Sequence, residues 1–170
     1  YAILAAKTVN YTNAGTIEFI VSPKGEFFFM EMNTRIQVEH GVTEMVTGTD
    51  LIIEQIRVAM GEPLSFTQED IQLRGHAIEC RINAEIPEKN FMPSPGKVTH
   101  IHLPAGNGVR VDTGLYAGYT IPSEYDSMIA KVIVHAQNRE LAIAKMRAAL
   151  DEMVVMGVNT NLDFQYQIMC

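Results

Sequence analysis

Residues 27–40 read FFFMEMNTRIQVEH and, after an apolar run, alternate polar with apolar side chains. The polar positions hold two carboxylates, two amides and one guanidinium: Glu31, Asn33, Arg35, Gln37 and Glu39. Because successive side chains of an extended chain point to opposite faces, an extended segment places all five on one face. A strand that only faces water rarely needs so particular a set, so this segment is a candidate site. The alternative is the solvated face of a half-buried strand with weak surface ion pairs.

A second carboxylate strand is predicted just before this segment. Residues 16–21 and 26–32 have strand composition and flank the turn-forming SPKG, which predicts a β-hairpin. With SPKG as the loop, Glu18 pairs with Phe29, and Glu18 and Glu31 become diagonal neighbours roughly 7–8 Å apart. Two such carboxylates repel unless a cation lies between them, and Mg²⁺ held by carboxylates and substrate phosphates meets that need. Two solvated glutamates are the alternative.

Length and composition exclude several classes of protein. The 170 residues, 47% of them hydrophobic, suffice for one ordinary core or two small ones. The net charge of −7 without basic clusters argues against a nucleic-acid surface. There is no apolar run of about 18 residues, so no membrane span is predicted. The two cysteines, Cys80 and Cys170, lack metal-like spacing and are predicted to be free thiols in a reducing compartment.

The elements that must position these residues form an α+β pattern with mainly antiparallel sheet. Helices are predicted at 1–10 and 49–60, from Asn138, and from Thr160. Strands are predicted at 16–21, 26–32, 75–83, 97–103, 108–112 and 128–136. Residues 61–74 are polar without a strong period and are predicted to be a domain linker.

Arg81 stands in a second alternating segment, HAIECRIN, among the strands after the linker. Its apolar neighbours Ile78, Cys80 and Ile82 alternate with Glu79 and Arg81. From this pattern alone, Arg81 is a surface arginine on the polar face of a strand.

Four motifs in order, EMNTRIQVEH, GVTEMVTG, RGHAIECRINAE and PSPGK, resemble biotin carboxylase, the ATP-grasp component of biotin-dependent carboxylases. The resemblance covers essentially the whole chain and is to the C-terminal part of the enzyme. It implies the end of an ATP-grasp domain at 1–60, a linker at 61–74 and a biotin carboxylase C-terminal domain at 75–170. The lid and the lysines that grip ATP would precede Tyr1. We therefore expect a fragment of a longer polypeptide that is inactive alone.

The resemblance also implies a nucleotide and metal site. Glu18 and Glu31 match the family's metal-binding glutamates, Asn33 also lies at the metal site, and Glu31 contributes to cofactor binding. The loop SPKG is one residue longer than the resemblance leads us to expect, which leaves the strand register open.

The remaining roles concern bicarbonate and biotin. Arg35 matches the arginine that holds bicarbonate, and Gln37 and the backbone N–H of Val38 match further bicarbonate contacts. Glu39 matches the general base that removes a proton from bicarbonate. Arg81 matches the arginine that stabilises the ureido enolate of biotin.

The implied function is ATP- and bicarbonate-dependent carboxylation of biotin on a carrier protein, as in acetyl-CoA carboxylase at the first step of fatty acid synthesis. The implied cofactors and substrates are ATP, Mg²⁺ or Mn²⁺, bicarbonate and biotin. The implied partners are a biotin carboxyl carrier protein, a carboxyltransferase component and a second copy in a homodimer, all in the cytoplasm. Two alternatives stay open: another ATP-grasp ligase, which needs no Arg81, and a non-catalytic dimerisation or interaction module.

Overall fold

The computed structural model describes every residue from Tyr1 to Cys170. The chain forms five α-helices: α1 (Ala2–Thr8), α2 (His40–Thr47), α3 (Leu51–Ala59), α4 (Arg139–Glu152) and α5 (Leu162–Ile168). Its eleven strands are β1 (Thr16–Val21), β2 (Phe27–Asn33), β3 (His76–Asn83), β4 (Glu85–Ile86), β5 (Met92–Pro93), β6 (Gly96–Lys97), β7 (His100–His102), β8 (Val109–Thr113), β9 (Thr120–Ile121), β10 (Met128–Ala136) and β11 (Val154–Met156). No helix is long and apolar enough to cross a membrane.

Contacts divide the chain into two compact units. The first comprises Tyr1–His40 and Gly48–Gln72, and the second comprises Gly41–Thr47 and Leu73–Cys170. Every strand pair in either unit is antiparallel. The predicted α+β fold with mainly antiparallel sheet is therefore confirmed.

β1 and β2 form the hairpin predicted for the first unit, but in a different register. Phe19 pairs with Phe29 and, after a bulge, Glu18 pairs with Glu31. The predicted pairing of Glu18 with Phe29 is wrong, because the loop takes in one residue beyond SPKG and the bulge inserts Met30. The two carboxylates therefore lie directly opposite each other rather than diagonally.

The second unit is built on a three-stranded sheet in the order β3-β10-β8. Its central strand β10 is a nearly continuous apolar run, because both of its faces are covered. Val132 and Val134 are fully buried in the main core together with Met146 of α4. Ile133 is also fully buried, but strand alternation turns it to the opposite face.

Helix α2 was not predicted, because its sequence HGVTEMVT holds glycine and β-branched residues of low helix propensity. Within the second unit its Glu44 is buried and accepts a hydrogen bond from Arg110 Nη1 at 2.6 Å. Arg110 also donates two hydrogen bonds to Asp112, from Nε to Oδ1 at 2.7 Å and from Nη2 to Oδ2 at 2.9 Å. A Cβ on Gly41 would collide with Ile133 Cδ1. Tertiary contacts thus stabilise a helix that local propensity does not favour.

The single strand predicted at 97–103 is wrong, since the structure has two strands there. β6 pairs with β9, whereas β7 pairs with β11. The change of partner falls between Val98, whose N–H donates to Tyr119 O at 2.8 Å, and Thr99, whose N–H donates to Met156 O at 2.8 Å. A local pattern cannot show that a segment changes partners half-way.

The other predicted elements lie near their expected positions. Asn138 is the N-cap of α4, as predicted, and its side chain accepts from the Leu141 N–H at 2.9 Å. The last helix starts later than predicted, because Asn161 rather than Thr160 is the N-cap of α5. The predicted strands whose positions are confirmed are those at 16–21, 75–83, 108–112 and 128–136.

Candidate functional site

The hairpin of the first unit brings two carboxylates together at its open end. Glu18 of β1 and Glu31 of β2 are cross-strand partners, next to the bulge. Glu18 is half-buried, whereas Glu31 is exposed. A bulge bends its strand and re-aims side chains, and this one brings the two carboxylates into direct register.

Asn33, the last residue of β2, bridges the pair. Its Nδ2 donates to Glu18 Oε1 at 2.9 Å and to Glu31 Oε1 at 3.2 Å. Two negative oxygens thus share one amide donor, which offsets part of their repulsion. The three predicted metal residues form one hydrogen-bonded cluster in the structure.

Arg35 connects this cluster to the loop that follows β2. Its Nη2 donates to Asn33 Oδ1 at 3.4 Å, and its Nη1 donates to Gln37 Oε1 at 3.0 Å. Nη1 also donates to the Ile36 carbonyl at 3.1 Å. The guanidinium, which is exposed, therefore lies between the amides of Asn33 and Gln37.

The one-face arrangement predicted for an extended chain holds only as far as Asn33, where β2 ends. Beyond it, the backbone turns, and Glu39 lies exposed in the turn just before α2. Val38 is half-buried in the same turn. The carbonyl of Gln37 accepts from the His40 N–H at 3.3 Å, which helps to close the turn. Hydrogen bonds, rather than strand alternation, thus link Arg35 to Asn33 on one side and to Gln37 on the other.

Arg81 belongs to the second unit, where it lies on β3 opposite Lys131 of β10. Its side chain is 49% exposed, and its Nε lies 3.8 Å from Glu79 Oε1. Its backbone carbonyl accepts hydrogen bonds from Asn161 Nδ2 at 3.1 Å and Gln165 Nε2 at 3.3 Å. The face of the sheet that carries Arg81 is rich in charged groups.

Family models cover most of both units. The model of the biotin carboxylase C-terminal domain matches residues 79–170. The model of the carbamoyl-phosphate synthase L chain ATP-binding domain matches residues 1–67. The chain belongs to the biotin carboxylase family.

Relatives support this assignment along the whole chain. A biotin carboxylase of Allochromatium vinosum is 58% identical over 165 residues, which are 97% of this chain and 36% of the relative. A pyruvate carboxylase subunit of Methanothermobacter thermautotrophicus is 57% identical over 168 residues, which are 99% of this chain and 34% of the relative. The chain thus spans about a third of the length of these curated relatives.

One solved structure matches the fold closely. It is the biotin carboxylase domain dimer of Hydrogenobacter thermophilus 2-oxoglutarate carboxylase in complex with MgADP, ADP and bicarbonate. It superposes with a TM-score of 0.92 and 50% sequence identity, and the match covers 99% of this chain and 37% of that chain. The resemblance of the sequence to the biotin carboxylase family is confirmed.

The cluster on the biotin carboxylase hairpin has a donor set that fits a magnesium ion. No group of three or more histidine, cysteine, aspartate and glutamate side chains is placed to hold a metal. Mg²⁺ nevertheless needs only one or two carboxylates when substrate phosphates supply other ligands. Glu18 and Glu31 are two carboxylates of this kind, and the Asn33 amide has an oxygen of the same hard character.

Asn161 and Gln165 are not among the residues that the sequence predicts for the site. Both donate to the carbonyl of Arg81, from positions about 80 residues further along the chain. Their only sequence signal is a place at the start of a predicted helix, where an asparagine normally caps the helix itself. Here the Asn161 side chain makes no such cap and bonds to a strand instead.

Proposed function

We propose that this chain is the C-terminal part of an ATP-dependent biotin carboxylase, a ligase that carboxylates biotin on a carrier protein by way of carboxyphosphate. The observation that carries the proposal is the continuous cluster on the hairpin and its following loop. In it Asn33 links the carboxylates of Glu18 and Glu31 to Arg35, which contacts Gln37. This arrangement supports a metal subsite beside an anion subsite, which phosphoryl transfer to bicarbonate requires.

The carboxylate end of the cluster would bind the nucleotide and its metal. Glu18, Glu31 and Asn33 would hold Mg²⁺ or Mn²⁺, with Glu31 also at the nucleotide. When bound, the ion neutralises charge on the phosphates of ATP. The protein's own contribution is to hold two carboxylates in register across a strand pair, so that they need no rearrangement when the nucleotide arrives.

The other end of the cluster would bind and activate bicarbonate. The fork of Arg35 and the side chain of Gln37 orient the anion, and the backbone N–H of Val38 donates a further hydrogen bond. Glu39 removes the bicarbonate proton as an oxygen of the anion attacks the γ-phosphorus of ATP. The bond from that phosphorus to the ADP oxygen breaks, which yields carboxyphosphate and ADP.

Arg81 would act in the second half-reaction. Carboxyphosphate breaks down to CO₂ and phosphate, and the released phosphate takes the N1 proton of biotin. The resulting N1 then attacks CO₂. Arg81 stabilises the negative oxygen of the ureido enolate, as an oxyanion donor does, and its loss should cost on the order of 2.7–4 kcal/mol in the barrier.

The proposal is tested by assaying ATP cleavage by the full-length enzyme with and without bicarbonate and free biotin. We expect dependence on bicarbonate and carboxylated biotin as a product. Glu39→Gln should lower kcat for biotin carboxylation on the order of 100-fold, with little change in the KM for ATP, since a positioned base contributes about 10²–10⁴-fold. Glu62→Gln is the control variant, because Glu62 is an exposed glutamate. ATP cleavage that requires neither compound would identify a different ATP-grasp ligase.

The full-length enzyme would have two domains in this part of its chain and three partners. Residues 1–60 would complete an ATP-grasp domain, 61–74 would link it to the biotin carboxylase C-terminal domain at 75–170, and the isolated chain would be inactive. Partners would be a biotin carboxyl carrier protein, a carboxyltransferase component and a second copy, in the cytoplasm. The domain dimer of the Hydrogenobacter relative supports the homodimer. Assays of the reconstituted enzyme with acetyl-CoA, pyruvate and 2-oxoglutarate test the acetyl-CoA carboxylase assignment.

A further inference from the structure

Strand β3, which carries Arg81, lies at the edge of its sheet and has only β10 as a strand partner. The backbone groups on its outer edge need other partners, since an unpaired polar group in a buried place is costly. Asn161 meets this need. Its Oδ1 accepts from the Asn83 N–H at 2.9 Å, and its own N–H donates to Asn83 O at 3.1 Å.

The same side chain reaches the next outward carbonyl of the strand. Asn161 Nδ2 donates to Arg81 O at 3.1 Å. Asn161 is only 5% exposed, and Ile82, which lies between the two clamped residues, is fully buried. One buried amide thus holds the peptide groups on both sides of a core residue, in the way that a neighbouring strand would.

Gln165, one turn further along, strengthens the arrangement. Its Nε2 donates to Arg81 O at 3.3 Å, and its backbone N–H donates to Asn161 O at 2.9 Å. The Arg81 carbonyl therefore accepts two side-chain amides from the start of α5. The Arg81 side chain is 49% exposed, so the clamped backbone fixes the point from which an exposed side chain extends.

We propose that Asn161, supported by Gln165, is a positioning residue that sets the place of Arg81 for its reaction with biotin. The inference rests on the proposed role of Arg81 in biotin carboxylation. An asparagine suits this place because it offers one acceptor and two donors on a short stem. Aspartate keeps the acceptor for the Asn83 N–H but sets a carboxylate oxygen against the Arg81 carbonyl.

The experiment compares two activities of the full-length enzyme. Bicarbonate-dependent ATP cleavage without biotin uses the hairpin cluster, whereas carboxylation of free biotin also uses Arg81. We expect Asn161→Asp and Asn161→Ala to lower kcat for biotin carboxylation on the order of 10- to 100-fold, since small misplacements cost this much. ATP cleavage without biotin should stay within about twofold of the unsubstituted enzyme.

Gln165→Met provides a milder test, with Gln167→Met on the same helix as the matched control. Gln167 is exposed, so its substitution should change neither activity. Gln165→Met removes one of the two donors to the Arg81 carbonyl. It should lower kcat for biotin carboxylation, but by a factor several-fold smaller than the factor for Asn161→Ala. If Asn161→Ala does not fold, the pair of glutamine variants decides the question by itself.

A double-mutant cycle separates positioning from general stability. Adding Asn161→Ala to Arg81→Ala should lower biotin carboxylation by less than about a further twofold, because the positioned group is already gone. Additive losses, or equal losses in both activities, would overturn the inference. If the unsubstituted enzyme cleaves ATP without needing bicarbonate, the proposed function fails. If it carboxylates biotin and Asn161→Asp does so equally well, only the positioning role fails.

Discussion

At the scale of single residues, the contacts of Arg35 require a guanidinium. Its two terminal nitrogens contact three different acceptors, on Asn33, Ile36 and Gln37. A planar guanidinium can keep some of these hydrogen bonds while its other N–H groups donate to an anion. A lysine ammonium is a single point charge on a flexible stem. The types of these residues were evident from the sequence, but their contacts were not.

Arg35→Lys should therefore raise the KM for bicarbonate on the order of 10-fold or more in the full-length enzyme, because the bidentate geometry is lost while the charge is kept. The KM for ATP should change little. Arg57→Lys is a matched control, since Arg57 is a partly exposed arginine of the same unit that lies 3.8 Å from Glu54 Oε1. An unchanged KM for bicarbonate would argue against the role of Arg35.

Cys80 illustrates how burial changes the chemistry of a residue. Burial, with a smaller contribution from the negative charge of Glu79, raises the pKa of its thiol to about 11. Only 3% of Cys80 is exposed, whereas Cys170 is exposed. The prediction that both cysteines are free thiols is confirmed.

Alkylation of the native protein at pH 8 should therefore modify Cys170 and spare Cys80, because the thiolate is the reactive form and Cys80 is almost entirely protonated there. Peptide mapping by mass spectrometry after a timed reaction gives the two extents separately. Denatured protein is the control, in which both should react. Comparable rates for the two residues in the native state would contradict the burial of Cys80.

At the scale of elements, α2 depends on its contacts more than on its sequence. Glu44 is paired with Arg110, and Gly41 lets the start of the helix approach Ile133 closely. Alanine is normally the better helix former by about 1 kcal/mol. At Gly41, however, an added Cβ would meet the end of a fully buried isoleucine that has little room to move.

Gly41→Ala should accordingly lower the free energy of unfolding by about 1–2 kcal/mol, since overpacking of a buried contact exceeds the gain in helix propensity. Gly114→Ala is the control, because no heavy atom lies within 4 Å of a Cβ placed there. Thermal or denaturant unfolding of both variants gives the comparison. A stability gain for Gly41→Ala would show that propensity outweighs the close contact.

At the scale of the whole molecule, one network of charges joins α2 to the sheet of the second unit. Arg110 binds both Glu44 and Asp112, and Lys131 Nζ lies 3.3 Å from Asp112 Oδ2. The hydrogen bonds from Arg110, together with the two positive charges, hold the pKa of Asp112 below its ordinary value. The same contacts raise the pKa of Arg110, which stays charged throughout.

A lowered carboxyl pKa in the folded state stabilises the protein at neutral pH, and this contribution disappears as the pH falls from about 4 through the folded-state pKa. Asp112→Asn should therefore reduce stability at pH 7 and make the remaining stability less sensitive to acid. Urea unfolding at several pH values between 7 and 3 measures this. Asp151→Asn, at an exposed position of α4, should leave the acid sensitivity nearly unchanged.

Features of the fold that depend on neighbouring residues were predicted from the sequence, whereas features that depend on contacts between distant segments were not. The bounds of β1 and β10 agree with those predicted, and so does the Asn138 cap, because alternation and caps depend on neighbouring residues. The bulge at Met30 and the existence of α2 were not predicted, because each depends on which segment packs against which.

The sequence by itself determined the residue types of the candidate site and, through motif order, the biotin carboxylase family. Only the tertiary structure decided that Glu18 directly faces Glu31, that Asn33 joins them, and that Asn161 clamps the strand of Arg81. The physical reason is one of distance along the chain. A hydrogen bond between residues 80 positions apart leaves no local periodicity, since folding alone brings such residues together.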